Sequence, residues 1–513
     1  MAHHFTRRHF FFGSLLAGAI PSGGFGSTPS LLRLGYRSPN EKLSIASIGA
    51  GGQAASDLTD CASENIVALC DVDEKQAAGK FSEYEKAPKY KDFRKMLDKE
   101  KSIDAVIVTI PDFMHATAAM WCMERGKHVY VQKPLTRTIW EARRLMEAAN
   151  RYKVATQMGN QGYSNEGTRQ VAEIIWSGEI GNVTQVHAWT DRPMWPQGLT
   201  QIPAATAVPD TLDWDLWLGG AAARPYTTGG EGYPTDYGYF YQPFNWRGFY
   251  DFGCGAIGDM ACHILGAANL ALRLGTPTSV ECVRKEGVSE FMFPKKSVLR
   301  YDFPARGNMA PVTVFWYDGM TETPEIAGVP KGEYLGDLPS RGRGGRGGRG
   351  AGQGPGRPAG RGPAAPPQAP TGFIGQVFDL DNFEAVRQDP DAVIPKPNGS
   401  VFIGDKGILT TGTYGGNTRL IPVEKMRDYK FPPQLLTRSP GHHFDWIRAC
   451  KGGDPACSNF NVAAPFVEWM LLGVIALRVP GKIEYDPVKM KITNNAEANK
   501  YLKPVFRKGW SFT

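Results

Sequence analysis

The chain has 513 residues, 42% of them hydrophobic and 21% charged, with 12 Trp, 19 Tyr and 26 Phe. This content excludes a disordered chain, and the length exceeds one ordinary core, so we expect two packed domains. The formal net charge of +7 is carried by arginine-rich stretches before residue 38 and between residues 341 and 361; because the rest of the chain is mildly acidic, we expect no nucleic-acid partner.

The first 37 residues have the pattern of an export signal followed by a linker. Arg7 and Arg8 precede three phenylalanines and a moderately apolar, glycine-containing run at residues 13–20. Paired arginines before such a run are typical of a twin-arginine signal, which predicts a periplasmic or otherwise exported protein. The run is shorter than the roughly 20 residues of a spanning helix, so we expect no stable membrane insertion. An N-terminal helix of a cytoplasmic protein stays open, because no clean A-x-A cleavage site follows.

A glycine-rich turn follows a buried strand at residues 44–48. A helix-like stretch comes next, and then a second apolar strand at residues 66–70 with Asp71 at its tip. In this context a G-x-G-x-x-A turn predicts dinucleotide binding, because glycines allow a tight turn and the helix N-terminus favours anions. Asp71 would bond a ribose 2′-hydroxyl and repel a 2′-phosphate, which favours NAD, although NADP stays possible. The predicted cofactor residues here are Gly49, Ala50, Gly51, Gly52, Gln53, Ala54 and Asp71.

The alternation of strands and helices continues to about residue 160. Apolar strands are predicted at residues 103–110, 126–132 and 154–158, with helices near residues 114–125 and 139–152. This spacing implies right-handed βαβ crossovers and a parallel sheet. We therefore assign residues 42–160 to a Rossmann dinucleotide-binding domain.

Residues 161–513 predict a second domain of the α+β class, giving an α/β protein overall. Half-polar strands, which are typical of an open and mostly antiparallel sheet with one solvated face, recur through this part of the chain. Strands are predicted at 183–190, 278–283, 298–303, 312–317 and 401–404, and helices near 166–177 and 257–272. Residues 341–370 are rich in Arg, Gly and Pro and predict a disordered insertion, because they cannot bury enough apolar surface.

Lys133 lies directly after the fourth predicted parallel strand. In open α/β sheets the carboxyl ends of the strands face the crevice where ligands bind, so a lysine at this position is a candidate catalytic residue. A solvated lysine at a strand end is the alternative.

Asp259 and His263 are four residues apart in a predicted helix. On an α-helix they share one face, and a carboxylate beside an imidazole raises its proton affinity and fixes its tautomer, as a general base near neutral pH requires. A structural histidine capped by an aspartate is the alternative. We expect no metal, because no third ligand has suitable spacing and the eight cysteines form no C-x-x-C pair.

Five motifs together resemble the Gfo/Idh/MocA superfamily, named for glucose-fructose oxidoreductase and inositol dehydrogenase. They are residues 49–54, 111–115, 133–134, 159–161 and 258–263. The resemblance extends from about residue 42 to the C-terminus, apart from the arginine-glycine insertion. It implies a Rossmann domain, a C-terminal α/β domain with an open sheet, and a homo-oligomer formed through that sheet.

The resemblance also assigns roles to residues. Lys133 matches the lysine of the family's E-K-P motif, and Asp259 and His263 match its D-x-x-x-H pair. Gln132 departs from the pattern, because the family usually has glutamate there. The motifs add Pro111, His115, Lys133 and Gln161 to the expected cofactor contacts. Trp246, Arg247 and His443 are weaker candidates for substrate contact.

We expect reversible oxidation of a secondary hydroxyl on a sugar, glycoside or cyclitol. His263, oriented by Asp259, would accept the proton, Lys133 would bond the developing alkoxide, and NAD would take the hydride. If the chain is exported, the cofactor is expected to be loaded beforehand and tightly held. A glycosidase that oxidises, eliminates and re-reduces its substrate with a recycled NAD is one alternative, and a non-catalytic carbohydrate-binding protein is another.

Overall fold

The computed structural model describes residues 41–230, 233, 238–339, 378–389, 392–393 and 395–512. The predicted twin-arginine signal at residues 1–37 and the predicted insertion at 341–370 lie outside these ranges. Within the described ranges, no helix combines the length and apolar character needed to cross a bilayer.

The N-terminal sheet has six parallel strands in the order β3-β2-β1-β4-β5-β6, which confirms the predicted Rossmann domain. The strands are β1 (Ser44–Ile48), β2 (Asn65–Cys70), β3 (Lys89–Tyr90), β4 (Ala105–Val108), β5 (His128–Val131) and β6 (Thr156–Met158). The helices between them are α1 (Gln53–Asp60), α2 (Glu74–Glu83), α3 (Phe93–Lys99), α4 (Asp112–Met123) and α5 (Ile139–Tyr152). Strand order reverses at β1, so ligands are expected at the carboxyl ends of β1 and β4.

The second sheet has eight strands in the order β13-β12-β11-β7-β10-β9-β8-β14. Only its β7–β10 pair is parallel among the pairings described, so the sheet is mixed and mostly antiparallel, as predicted. Its strands are β7 (Val183–Trp189), β8 (Ser279–Glu286), β9 (Lys296–Phe303), β10 (Val312–Asp318), β11 (Gly399–Gly404), β12 (Ile408–Thr411), β13 (Arg419–Ile421) and β14 (Lys482–Ile483). A separate ribbon pairs β15 (Tyr485–Asp486) with β16 (Lys491–Ile492).

The described residues after 160 form seven further helices. They are α6 (Glu166–Trp176), α7 (Trp214–Leu218), α8 (Cys262–Ile264), α9 (Gly266–Ala271), α10 (Leu380–Arg387), α11 (His442–Cys450) and α12 (Phe460–Ala476). Single-turn 3-10 helices occur at Gln161–Ser164, Asn245–Gly248, Val423–Met426 and Glu497–Tyr501, and a π-helical turn at Ile257–Ala261. Alternate residues of β9 and β10 are buried beneath α12, where the Tyr301 hydroxyl donates to the Met470 carbonyl at 3.0 Å.

Two helices from the end of the chain pack against the N-terminal sheet. On α11, Trp446, Ile447 and Cys450 join an apolar cluster with Ile45 and Tyr130. The segment between α11 and α12 also borders β6, because the Met158 amide donates to the Ser458 carbonyl at 3.0 Å. Residues beyond 440 therefore complete the core of the dinucleotide domain.

Candidate active site

The glycine-rich turn connects β1 to α1 at the point where strand order reverses. A Cβ on Gly49, which has φ +94°, would lie 2.1 Å from the Thr109 carbonyl oxygen, and a Cβ on Gly51 would lie 2.4 Å from that of Gln76. Packing of the protein backbone therefore requires both glycines. Gly52 differs, because its φ is +53° and the space beside it is open. The open side of the turn is at Gly52, where α1 begins with no side-chain cap.

Asp71 lies against this turn at the tip of β2. Its Oδ2 accepts hydrogen bonds from the Ala50 amide at 2.8 Å and the Gly51 amide at 3.4 Å, and its Oδ1 accepts from the Asp73 amide at 3.0 Å. Burial raises the pKa of Asp71, and these backbone hydrogen bonds oppose the rise only in part. The uncapped helix start, with Asp71 beside it, fits an anionic pyrophosphate and a ribose hydroxyl.

Replacing Asp71 with serine should reduce the preference for NADH over NADPH by about tenfold or more, because a hydrogen bond to a charged group contributes roughly 1.5–3 kcal/mol. Titration of the protein with each nucleotide, followed by fluorescence, measures this ratio. Asp98→Asn is the control, because Asp98 is an exposed acidic residue on α3. An unchanged ratio in Asp71→Ser would contradict the assignment of Asp71 to the ribose.

His115 joins the loops that follow β4 and β5. Its Nδ1 lies 2.7 Å from the Pro134 carbonyl oxygen, and its Nε2 lies 2.7 Å from that of Ile110. Burial lowers the pKa of His115 to about 4, and the nearby charges of Lys133 and Arg247 act in the same direction. Both ring nitrogens face main-chain carbonyls of the protein, so contact of His115 with the cofactor stays a prediction that involves the rest of the ring.

Two further residues added by the motifs stand at strand ends. Pro111 caps α4 at the carboxyl end of β4, and Gln161 begins the 3-10 helix after β6 and is partly exposed. Both therefore lie at the edge of the sheet where the glycine-rich turn is found, and their contact with a cofactor stays a prediction.

Lys133 and Asp259 form the centre of the candidate site. The Lys133 Nζ donates to Oδ1 of Asp259 and to its main-chain carbonyl, both at 2.8 Å. The Nε of Arg247 lies 3.3 Å from Oδ1, and the Nε of Arg192 lies 3.4 Å from Oδ2. Burial would raise the pKa of Asp259, but Lys133, Arg247 and Arg192 outweigh it and hold this pKa well below its usual range. Asp259 is a charged anchor for three cations.

His263 is one helical turn further along, and its relation to Asp259 differs from the prediction. The turn containing Asp259 is π-helical, so the spacing of four residues does not stack the side chains as on an α-helix. The hydrogen bonds of the Asp259 carboxylate go to Lys133 and Arg247, and the His263 Nδ1 is buried with no hydrogen-bond partner among the described residues. Asp259 therefore orients Lys133 instead of His263.

The His263 imidazole is also a weaker base than the sequence predicted. The side chain is 6% exposed, and burial together with the Lys133 charge holds its pKa well below the usual range, although Asp259 acts in the opposite direction. His263 is therefore neutral near pH 7, which leaves it able to accept a proton.

Tyr414 contacts His263 and was missed by the sequence analysis. Its ring packs edge-on against the imidazole, with ring centroids 4.7 Å apart, and burial, reinforced by the Asp259 charge, raises its pKa to about 12. Asn165 donates its Nδ2 to the Tyr414 carbonyl at 2.9 Å and so fixes the loop between β12 and β13. His263 and Tyr414 are 151 positions apart, so their contact leaves no local signal in the sequence except the glycines around Tyr414.

Asp112 is a second residue that the sequence analysis did not assign. It is the first residue of α4, and its Oδ2 accepts a hydrogen bond from the Cys254 amide at 3.1 Å. Burial raises the pKa of Asp112 to about 7, against the opposing charges of Arg247 and Lys133. Asp112 is therefore protonated in part near neutral pH, which reduces the negative charge that it adds to the site.

The three weaker candidates for substrate contact lie in different parts of the structure. Arg247 is at the site, and its guanidinium lies over the Trp246 ring at 4.3 Å. Trp246 is 6% exposed, and its Nε1 donates to the Pro243 carbonyl. His443 is away from the site, because α11 packs beneath the N-terminal sheet and the His443 ring stacks on Tyr130 at 4.8 Å. The prediction for His443 is corrected accordingly, and substrate contact by Trp246 stays a prediction.

Two parts of the chain match sequence models of the Gfo/Idh/MocA family. Residues 43–160 match the oxidoreductase family's NAD-binding Rossmann fold, and residues 169–283 match the family's C-terminal alpha/beta domain. The N-terminal domain is thus an NAD-binding Rossmann domain, and residues 169–283 of the second domain match the family's C-terminal model.

Curated relatives match part of the chain. Inositol 2-dehydrogenase of Salmonella typhimurium is 32% identical over 124 residues, which cover 24% of this chain and 37% of that protein. Inositol 2-dehydrogenase 2 of Saccharopolyspora erythraea is 29% identical over 183 residues, 34% of this chain and 53% of that one. A glycosyl hydrolase family 109 protein of Solibacter usitatus is 28% identical over 175 residues, 31% of this chain and 39% of that one. The matches thus span about half of these relatives or less.

Solved structures share the fold over most of the chain. The WlbA dehydrogenase from Bordetella pertussis, in complex with NADH and UDP-GlcNAcA, superposes with a TM-score of 0.52 at 13% identity, covering 87% of this chain and 99% of that one. GenD2 from gentamicin A biosynthesis, in complex with NAD, gives a TM-score of 0.50 at 15% identity, covering 88% and 98%. At these identities the likeness establishes the two-domain fold.

Proposed function

We propose that this chain, whose two domains each match a model of the Gfo/Idh/MocA oxidoreductase family, oxidises a secondary hydroxyl of a sugar, glycoside or cyclitol with NAD. The observation that carries the proposal is the convergence of Lys133, Asp259 and His263 at the carboxyl end of β5. Lys133 comes from the dinucleotide sheet, whereas Asp259 and His263 come from the π-helical turn and from α8 in the second domain. A binding protein without chemistry has no need for this grouping.

His263 is the group that accepts the hydroxyl proton. Its imidazole is neutral near pH 7, since burial and the Lys133 charge oppose protonation. A general base must be unprotonated in the resting enzyme and within hydrogen-bond reach of the hydroxyl when substrate is bound. Proton transfer to His263 leaves the substrate oxygen negatively charged.

Lys133 stabilises that developing charge. Its ammonium is held by two hydrogen bonds to Asp259, one to the carboxylate and one to the main chain, so it is fixed before substrate binds. A preorganised donor at the oxygen where charge develops lowers the barrier most effectively. NAD, when bound, supplies the acceptor for the hydride that leaves the same carbon. The alcohol thereby loses one proton and one hydride and becomes a ketone.

The names of the relatives support a polyol or sugar substrate. Three inositol 2-dehydrogenases match 22–34% of this chain at 29–34% identity. These matches cover about a third of this chain or less, so the substrate class rests on the proposal and on the polar site formed by Lys133, Arg192 and Arg247. Tyr414 and Arg247 are the side chains best placed to select among sugars.

A glycosidase that oxidises, eliminates and re-reduces its substrate is the second candidate. The match to a glycosyl hydrolase family 109 protein favours it, and the same Lys133 and His263 would serve its oxidation step. This reaction leaves NAD unchanged after each turnover, so the two candidates differ in whether NADH accumulates. Cleavage of aryl glycosides without added NAD and without net NADH would select the glycosidase.

We further propose that the protein is exported by the twin-arginine pathway with its NAD already bound. This proposal rests on the Arg7 and Arg8 pattern.

We also propose that the protein forms a homo-oligomer through the outer face of the second sheet. On this face the His187 and Phe315 rings stack at 4.9 Å and form an aromatic patch that a second copy would cover. Light scattering of the purified protein tests the oligomer.

Purified protein, when denatured, should release close to one NAD or NADH per chain if the cofactor is retained. Enzymatic cycling of the supernatant measures this content. Native protein is then incubated with inositols and glycosides, with and without added NAD, while NADH absorbance and sugar products are followed. A cofactor-free protein that turns over only with added NAD would reject retention but keep the dehydrogenase. The absence of turnover on every polyol and glycoside, despite bound cofactor, would favour a carbohydrate-binding protein.

A further inference from the structure

A buried carboxylate, Asp57 of α1, lies beneath the glycine-rich turn and the end of β5. It is 0% exposed, and four side chains from four parts of the chain direct hydrogen-bond donors or a ring nitrogen toward it. Gln132 donates its Nε2 to Oδ1 at 3.1 Å and to Oδ2 at 3.0 Å. The other contacts are Thr109 Oγ1 at 2.8 Å, Gln53 Nε2 at 3.1 Å and His443 Nε2 at 3.2 Å.

Asp57 remains ionised in this setting. Burial opposes its negative charge, but the hydrogen bonds and the charge of His443, together with the Thr109 and Gln132 hydrogen bonds, outweigh burial and lower the pKa of Asp57. The Nδ1 of His443 lies 3.3 Å from Oδ2 of Asp60, so the imidazole stands between two carboxylates. The network therefore joins α1, the end of β4, the end of β5 and α11 through one charge.

Gln132 connects this charge to Lys133. While its Nε2 donates to Asp57, its Oε1 accepts a hydrogen bond from the Lys133 amide at 3.2 Å. The backbone of Gly159 packs closely against the Gln132 amide and restricts its movement. A Cβ on Gly159 would lie only 2.7 Å from that amide group. The amide is therefore held with its oxygen toward Lys133 and its nitrogen toward Asp57.

An amide is the side chain that this position requires. A glutamate at position 132 could accept from the Lys133 amide, but it offers no N–H to Asp57 and would place two carboxylates about 3 Å apart in a buried site, where they repel or one is protonated. This accounts for Gln132 at the place where related sequences usually have glutamate. The presence of Asp57 and the identity of residue 132 are coupled.

We propose that Asp57 and Gln132 form a positioning pair that fixes the main chain of Lys133 and ties it to the NAD-binding helix α1. The inference rests on the proposed role of Lys133 in the reaction. The pair acts through Lys133, so exchanging its two groups, as in Asp57→Asn with Gln132→Glu, should preserve the function: the new amide at 57 donates to the new carboxylate at 132, which still accepts from the Lys133 amide.

The test compares Gln132→Glu, Gln132→Met, Asp57→Asn and the double variant Asp57→Asn/Gln132→Glu, with Gln434→Glu as a control at an exposed glutamine. We expect kcat to fall about tenfold or more in Gln132→Glu, to fall less in Gln132→Met, and to return to within about threefold of wild type in the double variant. The thermal midpoint should follow the same order. Gln434→Glu should behave as wild type.

A second readout does not depend on turnover. Acetylation of lysines followed by mass spectrometry reports how freely the Lys133 Nζ leaves Asp259, and we expect faster labelling of Lys133 in Gln132→Glu and a return toward wild type in the double variant. A double variant as impaired as Gln132→Glu in both kcat and labelling would overturn the pairing. If wild type itself has no turnover, the proposed function fails, while the labelling pattern still decides whether the pair positions Lys133.

Discussion

Replacing Lys133 with methionine should lower kcat by about a thousandfold while leaving NADH affinity within about threefold of wild type. Methionine retains much of the side-chain volume but removes the ammonium, and loss of one preorganised donor to a developing oxyanion costs on the order of 10²–10³ in kcat. Asp259 keeps Arg247 and Arg192 as partners, so the site should stay folded. Steady-state kinetics on the substrate found by screening measures the effect.

Lys95→Met is the matched control, because Lys95 is an exposed lysine of α3 in the same domain. It should retain the wild-type rate and the wild-type thermal midpoint. If Lys133→Met kept more than a tenth of the activity with an unchanged midpoint, Lys133 would be a structural partner of Asp259 and the proposed mechanism would fail. A fall in midpoint without a change in kcat would lead to the same conclusion.

His263→Asn should lower kcat about 10²–10⁴-fold, because a general acid–base group contributes in this range. The pH profile is the more specific measurement. The pKa of His263 in the folded protein is below its ordinary value of about 6.5, so the imidazole stays unprotonated as the pH falls through 6.5. The acid limb of kcat/KM for oxidation should therefore lie clearly below pH 6.5, and it should be absent in His263→Asn.

The depressed pKa of His263 also makes the folded protein less stable as the pH falls. Below about pH 6.5 an unfolded histidine binds a proton that buried His263 does not, so the unfolded state is favoured as the pH falls toward the folded pKa. The thermal midpoint should therefore fall more between pH 7.5 and acidic pH in wild type than in His263→Asn, which lacks this imidazole. An acid limb centred at or above pH 6.5 would show that His263 is not the proton acceptor in the form described.

Much of the dinucleotide domain was predictable because its signals are local. The glycine-rich turn at residues 49–54, the apolar strands and the acidic residue at the tip of β2 can each be recognised within a short stretch of sequence, and the structure has them in the expected order. Strand β3, only two residues long, and α3 were not predicted, because two residues carry no periodicity. Pairing with β2, not local propensity, makes residues 89 and 90 a strand.

Lys133, Asp259 and His263 were predictable as members of the site, but their pairing and the presence of Tyr414 and Asp112 were not. The position of Lys133 at a strand end pointed to a role, and the spacing of Asp259 and His263 suggested one helix face. No sequence pattern predicted the π-helical turn that contains Asp259. In this turn the Asp259 carboxylate accepts a hydrogen bond from Lys133, which lies 126 positions earlier in the chain. His443 was placed in the substrate pocket for the same reason, since its partners on α1 lie almost 400 positions earlier. Contacts over such distances are decided by packing of the whole chain.

The packing of α11 against the N-terminal sheet has a consequence for how the protein is made. Trp446 and Ile447 cover Leu43, Ile45 and Tyr130. The imidazole of His443 contacts the buried carboxylate of Asp57. During synthesis the first 160 residues leave the ribosome long before these partners exist, so this half of the core stays uncovered while some 280 further residues are added. The nucleotide pocket is therefore among the last features to mature, although its sequence is translated first, and tight cofactor loading should wait for an essentially complete chain.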